Sequence, residues 1–192
     1  MTAALNETPG GGRVCPHQMA IMLDNWIRRL IQNPASVTGD YIEAGHTVVD
    51  IGCGPGFFTI DMARMVGPAG RVIAVDLQTN MLRHVEKKAI RHGVAERVVC
   101  HPCSADGIGL TCQADFILAF YMVHETPDAR RLFEEILSLL APGGKLLVVE
   151  PKMHVKQAVF QSMVTTAVEA GMQVVEFPSG KGGRAVLLAP AG

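Results

Sequence analysis

The chain has 192 residues, 48% of them hydrophobic and 18% charged, with a formal net charge of -1. That length suits one α/β domain with a sizeable core. The charge excludes the basic excess on which general nucleic-acid binding depends, and no apolar stretch is long enough to span a bilayer.

Residues 1–12, with Pro9 followed by Gly10, Gly11 and Gly12, read as a flexible tail. The stretch lacks a basic region followed by an apolar run, so no secretory leader is expected. Residues 13–44 read as an N-terminal helical cap. Met19, Met22, Leu23, Trp26 and Leu30 share one face, Asp24, Asn25, Arg28 and Arg29 the other, and Asn33-Pro34 stops the helix. The apolar face could roof a pocket, pack on a sheet, or pair with a second copy of the chain.

From Thr47 the pattern changes. Short, predominantly apolar runs fall at 47–51, 71–76, 97–100, 115–121 and 145–150. Amphipathic stretches at 57–66, 79–92 and 127–140 separate most of them. Runs apolar on both faces predict buried parallel strands joined by right-handed helical crossovers. Gly93 and Gly143-Gly144 stand where helix C-caps belong. A helix at 155–170 precedes two further strands, 172–177 and 184–189. The link between those two, Pro178-Ser179-Gly180-Lys181-Gly182-Gly183, is too short for a crossover helix, so they must be antiparallel. The expected fold is a three-layer α/β sandwich, a seven-stranded sheet with six strands parallel and one reversed, over residues 45–192.

The first strand runs into Asp50-Ile51-Gly52-Cys53-Gly54-Pro55-Gly56-Phe57. Glycines there let the backbone turn tightly and approach a ligand, and the following helix offers free N–H groups. Asp76 ends the second strand, where a carboxylate can accept from both hydroxyls of a ribose. The spacing is G-x-G-x-G. The dinucleotide pattern G-x-G-x-x-G is broken by Phe57, and no P-loop is present.

VVDIGCGPGFFT, VIAVDLQTNML and LLAPGGKLLVVEP resemble the nucleotide-binding core of class I, Rossmann-like S-adenosylmethionine-dependent methyltransferases, over about residues 45–189. The closing hairpin matches as well. Within that class, FYMVHE after the fourth strand and the following PGG resemble the small-molecule enzymes of the quinone-biosynthesis and arsenite types. The resemblance implies roles by position. Asp50, Gly52, Gly54 and Gly56 would hold the methionine end of S-adenosylmethionine, with Cys53 contributing its backbone. Asp76 would hold the ribose, Leu77 would pack on the adenine, and Ser104 and Ala105 would line its edge. Phe120 and Tyr121 would sit beneath the transferring methyl. Many members carry an acid after the third strand that bonds the adenine amino group. Cys103 stands there instead, leaving that contact to Asp106 or to backbone groups.

Polar groups at the expected strand tips are Tyr121, His124, Glu125, Glu150, Lys152 and His154. His124, with an ordinary pKa near working pH, is the leading acid–base candidate, alongside Tyr121 as a contact for cofactor or acceptor. Glu150 and His154 read more simply as solvated strand ends. Cys100-His101-Pro102-Cys103 could supply half of a zinc site, but no second pair exists, so no metal is expected. A soft substrate held by Cys15 and Cys103 finds no matching cysteine triad. Five cysteines, an odd number, suit free thiols in a reducing cytoplasm.

The expected activity is methyl transfer by in-line displacement to a small-molecule acceptor. A module that binds the cofactor without catalysis, and an enzyme acting on protein or RNA, remain the rivals. The tip of the fourth strand lacks an Asn/Asp-Pro-Pro-Tyr motif, which disfavours nucleic-acid amines, and Phe120-Tyr121-Met122 offers no carboxylates for a catechol-type metal.

Overall fold

The computed structural model describes residues 33–192. The tail and the amphipathic helix expected around Met19–Trp26 lie outside the described residues. A short helix, α1 (Pro34–Thr38), opens on Asn33, whose side chain caps the Ala35 N–H at 3.0 Å. Next come β1 (Thr47–Ile51), α2 (Thr59–Met65), β2 (Arg71–Asp76), α3 (Thr79–Arg91) and β3 (Val98–Pro102). The second half holds β4 (Ala114–Phe120), α4 (Ala129–Leu139), β5 (Leu140–Glu150), α5 (Gln157–Glu169), β6 (Met172–Glu176) and β7 (Arg184–Pro190).

The strands form one sheet in the order β3-β2-β1-β4-β5-β7-β6. Ladders from β3 through β5 are parallel; β7 runs antiparallel to both β5 and β6. Alternation along each strand sends side chains to two cores. Val49, Ile117, Leu146, Val148 and Val186 meet Phe133 and Ile136 of α4 and Phe160 of α5. On the opposite face Val48, Phe116, Leu118, Leu147 and Leu187 meet Val37 of α1 and Ile60 and Met62 of α2. Leu82 and Val85 of α3 pack over Ala74 and Cys53. Three layers with one reversed strand are therefore present as expected. Among the described residues no helix is long and apolar enough to cross a membrane.

Several local expectations are corrected. The glycine pair 143–144 caps no helix: α4 ends at Leu139 and Leu140 is already extended. Ala114 pairs with Leu140 and Phe116 with Lys145, so the chain bulges outward in between. Gly143 makes that bulge with φ 81°. Gly144 passes so close to β4 that a Cβ would lie 2.6 Å from the Ala114 carbonyl oxygen. By contrast Gly93, with φ 67°, follows α3 as a C-cap glycine should. At the other end of β4, Tyr121 leaves the strand instead of ending it and turns into the left-handed region, φ 60°.

Candidate active site

The C-terminal ends of β1, β2 and β4 converge, as parallel topology requires. Asp50, 2% exposed, accepts a 2.6 Å hydrogen bond from the Thr59 hydroxyl, which ties the end of β1 to the first turn of α2. The loop between them is pinned from the side. Gly52 and Cys53 both donate their N–H to the Val75 carbonyl, at 2.9 and 3.0 Å. Gly52, Gly54 and Gly56 have φ of 67°, 53° and 80°. A Cβ on Gly52 would strike Met122 at 2.9 Å and one on Gly56 would press on Val85 at 3.1 Å, whereas one on Gly54 would meet nothing within 4 Å. Gly54 thus presents a bare backbone to an open face.

Asp76 binds the two adjoining loops together. One carboxylate oxygen accepts from Gly54 N at 2.9 Å, the other from Gln78 N at 2.8 Å. Burial raises its pKa, against the lowering effect of those two bonds. Each oxygen retains a second acceptor direction, which suits a vicinal diol. Leu77 beside it is 43% exposed, which leaves apolar surface open to a planar base. These features fit a nucleoside held by Asp76 and Leu77 against the Gly54 backbone.

After β3 the chain makes a tight exposed turn. Ser104 N donates to the Gly107 carbonyl at 3.1 Å, and Asp106 N to the Ser104 hydroxyl at 3.3 Å. Cys103 precedes it, with its N–H on the Asp76 carbonyl at 3.2 Å. Burial, with the Asp76 charge adding, raises the Cys103 pKa, so its thiol stays protonated. Glu135 of α4, which sequence reasoning missed, accepts the Ile108 N–H at 2.6 Å and closes the turn from below. Nothing near residue 108 in the sequence announces a partner 27 residues away.

The tip of β4 is aromatic. Phe120, 7% exposed, lies 4.4 Å from the Phe58 ring and 4.2 Å from that of Tyr121. Tyr121 donates its N–H to Val149 O at 2.8 Å and its hydroxyl to Gly182 O at 2.6 Å. A 3-10 turn, Val123–Glu125, then carries His124 over the end of β5. There His124 Nδ1 bonds the Glu150 carboxylate, whose other oxygen accepts the His124 N–H at 3.3 Å. Glu150 is fully buried, which overturns its reading as a solvated strand end. That hydrogen bond raises the His124 pKa, outweighing the opposing effect of burial, and the charges of Glu150 and Glu125 add to it. His154 and Lys152 are exposed beyond the strand end.

Among the described residues no group of three or more His, Cys, Asp or Glu side chains could hold a metal ion. Cys53, Cys100, Cys103 and Cys112 are unbridged, and Cys15 lies outside the described residues.

Comparison with known proteins gives a family, relatives and neighbours in fold. A family model described as a methyltransferase domain matches residues 48–144, just over half of the chain. A demethylmenaquinone methyltransferase from Lactobacillus johnsonii is 31% identical over 110 residues, 57% of this chain and 45% of the relative. A ubiquinone/menaquinone biosynthesis C-methyltransferase from Saccharophagus degradans is 33% identical over 110 residues, again 57% of this chain and 44% of the relative. The chain thus spans under half the length of these curated relatives. A solved SAM-dependent methyltransferase from Aquifex aeolicus superposes with a TM-score of 0.80 at 22% identity, covering 91% of this chain and 97% of its own. The cyclase SpnF superposes at 0.69 with 16% identity, covering 96% and 100%. At those identities the two structures show the fold, and a cyclase beside a methyltransferase shows that this fold serves more than one reaction.

Proposed function

The chain belongs to the methyltransferase domain family, and from that membership we propose that it transfers a methyl group from S-adenosylmethionine to a small-molecule acceptor. When bound, S-adenosylmethionine supplies a methyl carbon made electrophilic by its sulfonium, so the protein's main contribution is alignment for an in-line displacement, worth roughly 7–11 kcal/mol in good cases. Asp50 and the loop Gly52, Cys53, Gly54 and Gly56 hold the methionine end. Asp76 accepts from the ribose hydroxyls, Leu77 packs on the adenine, and Ser104 and Ala105 line its edge. Phe120 and Tyr121 would line the end of the site that receives the methyl group.

His124 and Glu150 supply acid–base chemistry. With Nδ1–H donating to the buried carboxylate, the lone pair of the neutral imidazole lies on Nε2. That nitrogen takes a proton from the acceptor, and Glu150 stabilises the imidazolium that results. The pair serves an acceptor that must lose a proton before attack. A phenol or quinol-like compound is such an acceptor, and the relatives are named demethylmenaquinone methyltransferase and ubiquinone/menaquinone biosynthesis C-methyltransferase. Among the described residues the cysteines are unbridged, which suits a cytoplasmic setting.

The observation that carries this reading is Asp76, joining Gly54 N and Gln78 N beside the open face of Gly54. Calorimetry with S-adenosylmethionine, S-adenosylhomocysteine and NAD tests it. The first two should bind to the wild type and not to Asp76→Ala. Binding of NAD in their place would refute the reading.

A further inference from the structure

The glycine-rich turn between β6 and β7 reads in sequence as a mere connector, yet it holds a buried cation. Lys181 is 5% exposed. Its Nζ donates to the Ser36 carbonyl at 2.7 Å and to the Asp40 carboxylate at 2.8 Å, and stands 4.9 Å from the centroid of the Tyr41 ring. An ammonium withdrawn from water persists only where oxygens and aromatic faces replace its hydration. All three partners lie in α1 or just after it, so the first described segment of the chain is fastened to the last hairpin. Tyr41 extends the fastening. Its ring stacks on Phe116 at 5.6 Å and its hydroxyl donates to Glu176 of β6 at 3.3 Å. Burial, with the Glu176 charge adding, pushes its pKa up to about 12, so the hydroxyl keeps its proton.

The residue after Lys181 is Gly182, whose carbonyl accepts the Tyr121 hydroxyl at 2.6 Å. Among the described residues Tyr121 is the single non-glycine with positive φ. An L-residue holds that conformation where its surroundings over-determine it. Here its N–H is held by Val149 of β5 and its hydroxyl by the hairpin turn.

We propose that Lys181 is a positioning residue for the methyl-transfer site: by latching the hairpin turn to Ser36, Asp40 and Tyr41 it fixes the Gly182 carbonyl, which in turn fixes the Tyr121 ring at the tip of β4. The role at the methyl-transfer site rests on the reading of Tyr121 given above. Lys181 itself touches neither cofactor nor acceptor.

The chain contains two tyrosines, Tyr41 and Tyr121, and both belong to this cluster. Ring-13C tyrosine labelling of the full chain therefore gives two sets of ring signals, assigned with Tyr121→Phe. Lys181→Met and the milder Asp40→Asn, which changes a partner 75% exposed at its side chain, are compared with wild type by NMR and by calorimetric S-adenosylmethionine affinity. The latch requires the Tyr121 signal to move in both variants. Lys181→Met should weaken cofactor binding about tenfold, with no further loss when added to Tyr121→Phe, and Lys181→Arg should recover part of it. A Tyr121 signal unmoved by either variant, or losses from Lys181→Met and Tyr121→Phe that multiply, overturns the proposal. A wild type that binds no S-adenosylmethionine, or binding that survives Asp76→Ala, instead overturns the cofactor reading and with it the functional half of the proposal; the latch then stands or falls on the tyrosine signals alone.

Discussion

Gly52 and Gly54 look interchangeable in the motif, and the structure gives them different work. Both hold positive φ, so an alanine at either strains the backbone by roughly 1–2 kcal/mol. At Gly52 the new methyl also strikes Met122 at 2.9 Å, and overpacking adds about 1–3 kcal/mol. At Gly54 it enters the open face assigned to the cofactor. Gly52→Ala should therefore lower the thermal midpoint clearly more than Gly54→Ala. Gly54→Ala should lose at least tenfold in S-adenosylmethionine affinity with the smaller drop in stability, about 1.4 kcal/mol of binding per factor of ten. Scanning calorimetry and titration of the two variants separate these outcomes, and equal effects in both assays would contradict the assignment of faces. The glycine pattern is legible from nearest neighbours alone. Which glycine faces ligand is not, because the neighbour that closes Gly52 arrives from residue 122.

At the scale of elements, strands and helices emerge where a single physical signal dominates. β2 and β7 carry uninterrupted apolar runs at 72–75 and 185–190, β1 has one broken by Asp50, and α4 is amphipathic with Leu132, Phe133 and Ile136 on its buried face. Its start is set by Asp128, whose carboxylate accepts the Arg131 N–H at 3.0 Å. Asp128→Ala should cost about 1 kcal/mol and lower the midpoint by roughly 2–4 °C for a domain of this size, with cofactor affinity unchanged. A loss of affinity would mean that α4, through Glu135 and the turn at Ser104–Gly107, shapes the adenine side. The glycine pair 143–144 misleads because glycine serves equally at a helix end and in a bulge. The β4 ladder decides between them, since Gly144 must pass the Ala114 carbonyl with no Cβ in the way.

At the scale of the whole molecule, the His124–Glu150 contact joins the loop after β4 to the end of β5 and makes the fold sensitive to pH. The folded-state pKa of His124 is raised above its ordinary value of 6.5. Its contribution to stability is therefore complete below that ordinary value and is lost as pH rises through the raised one. The wild type should lose stability across that window, and His124→Gln should show a flatter profile in denaturant titrations at stepped pH. A base on Nε2 predicts the opposite trend for turnover, which should rise as His124 loses its proton. Turnover that fell in parallel with stability would leave the pair a structural role and contradict the catalytic one.

The one-dimensional pattern determined the seven-stranded α/β class, the reversed last strand, the glycine loop and the acid at the tip of β2. Each of these rests on short-range physics: alternation of apolar runs, the length of a linker, the φ that a loop demands. Tertiary structure alone decided that Glu150 is buried under His124, that Glu135 closes the turn after β3, and that Lys181 fastens the hairpin to Asp40 and Ser36. In each case the partner lies tens of residues away in the chain, 26, 27 and 141 for these three. A charged residue in a sequence looks solvated until the fold brings its counterpart within hydrogen-bonding distance and takes the water away.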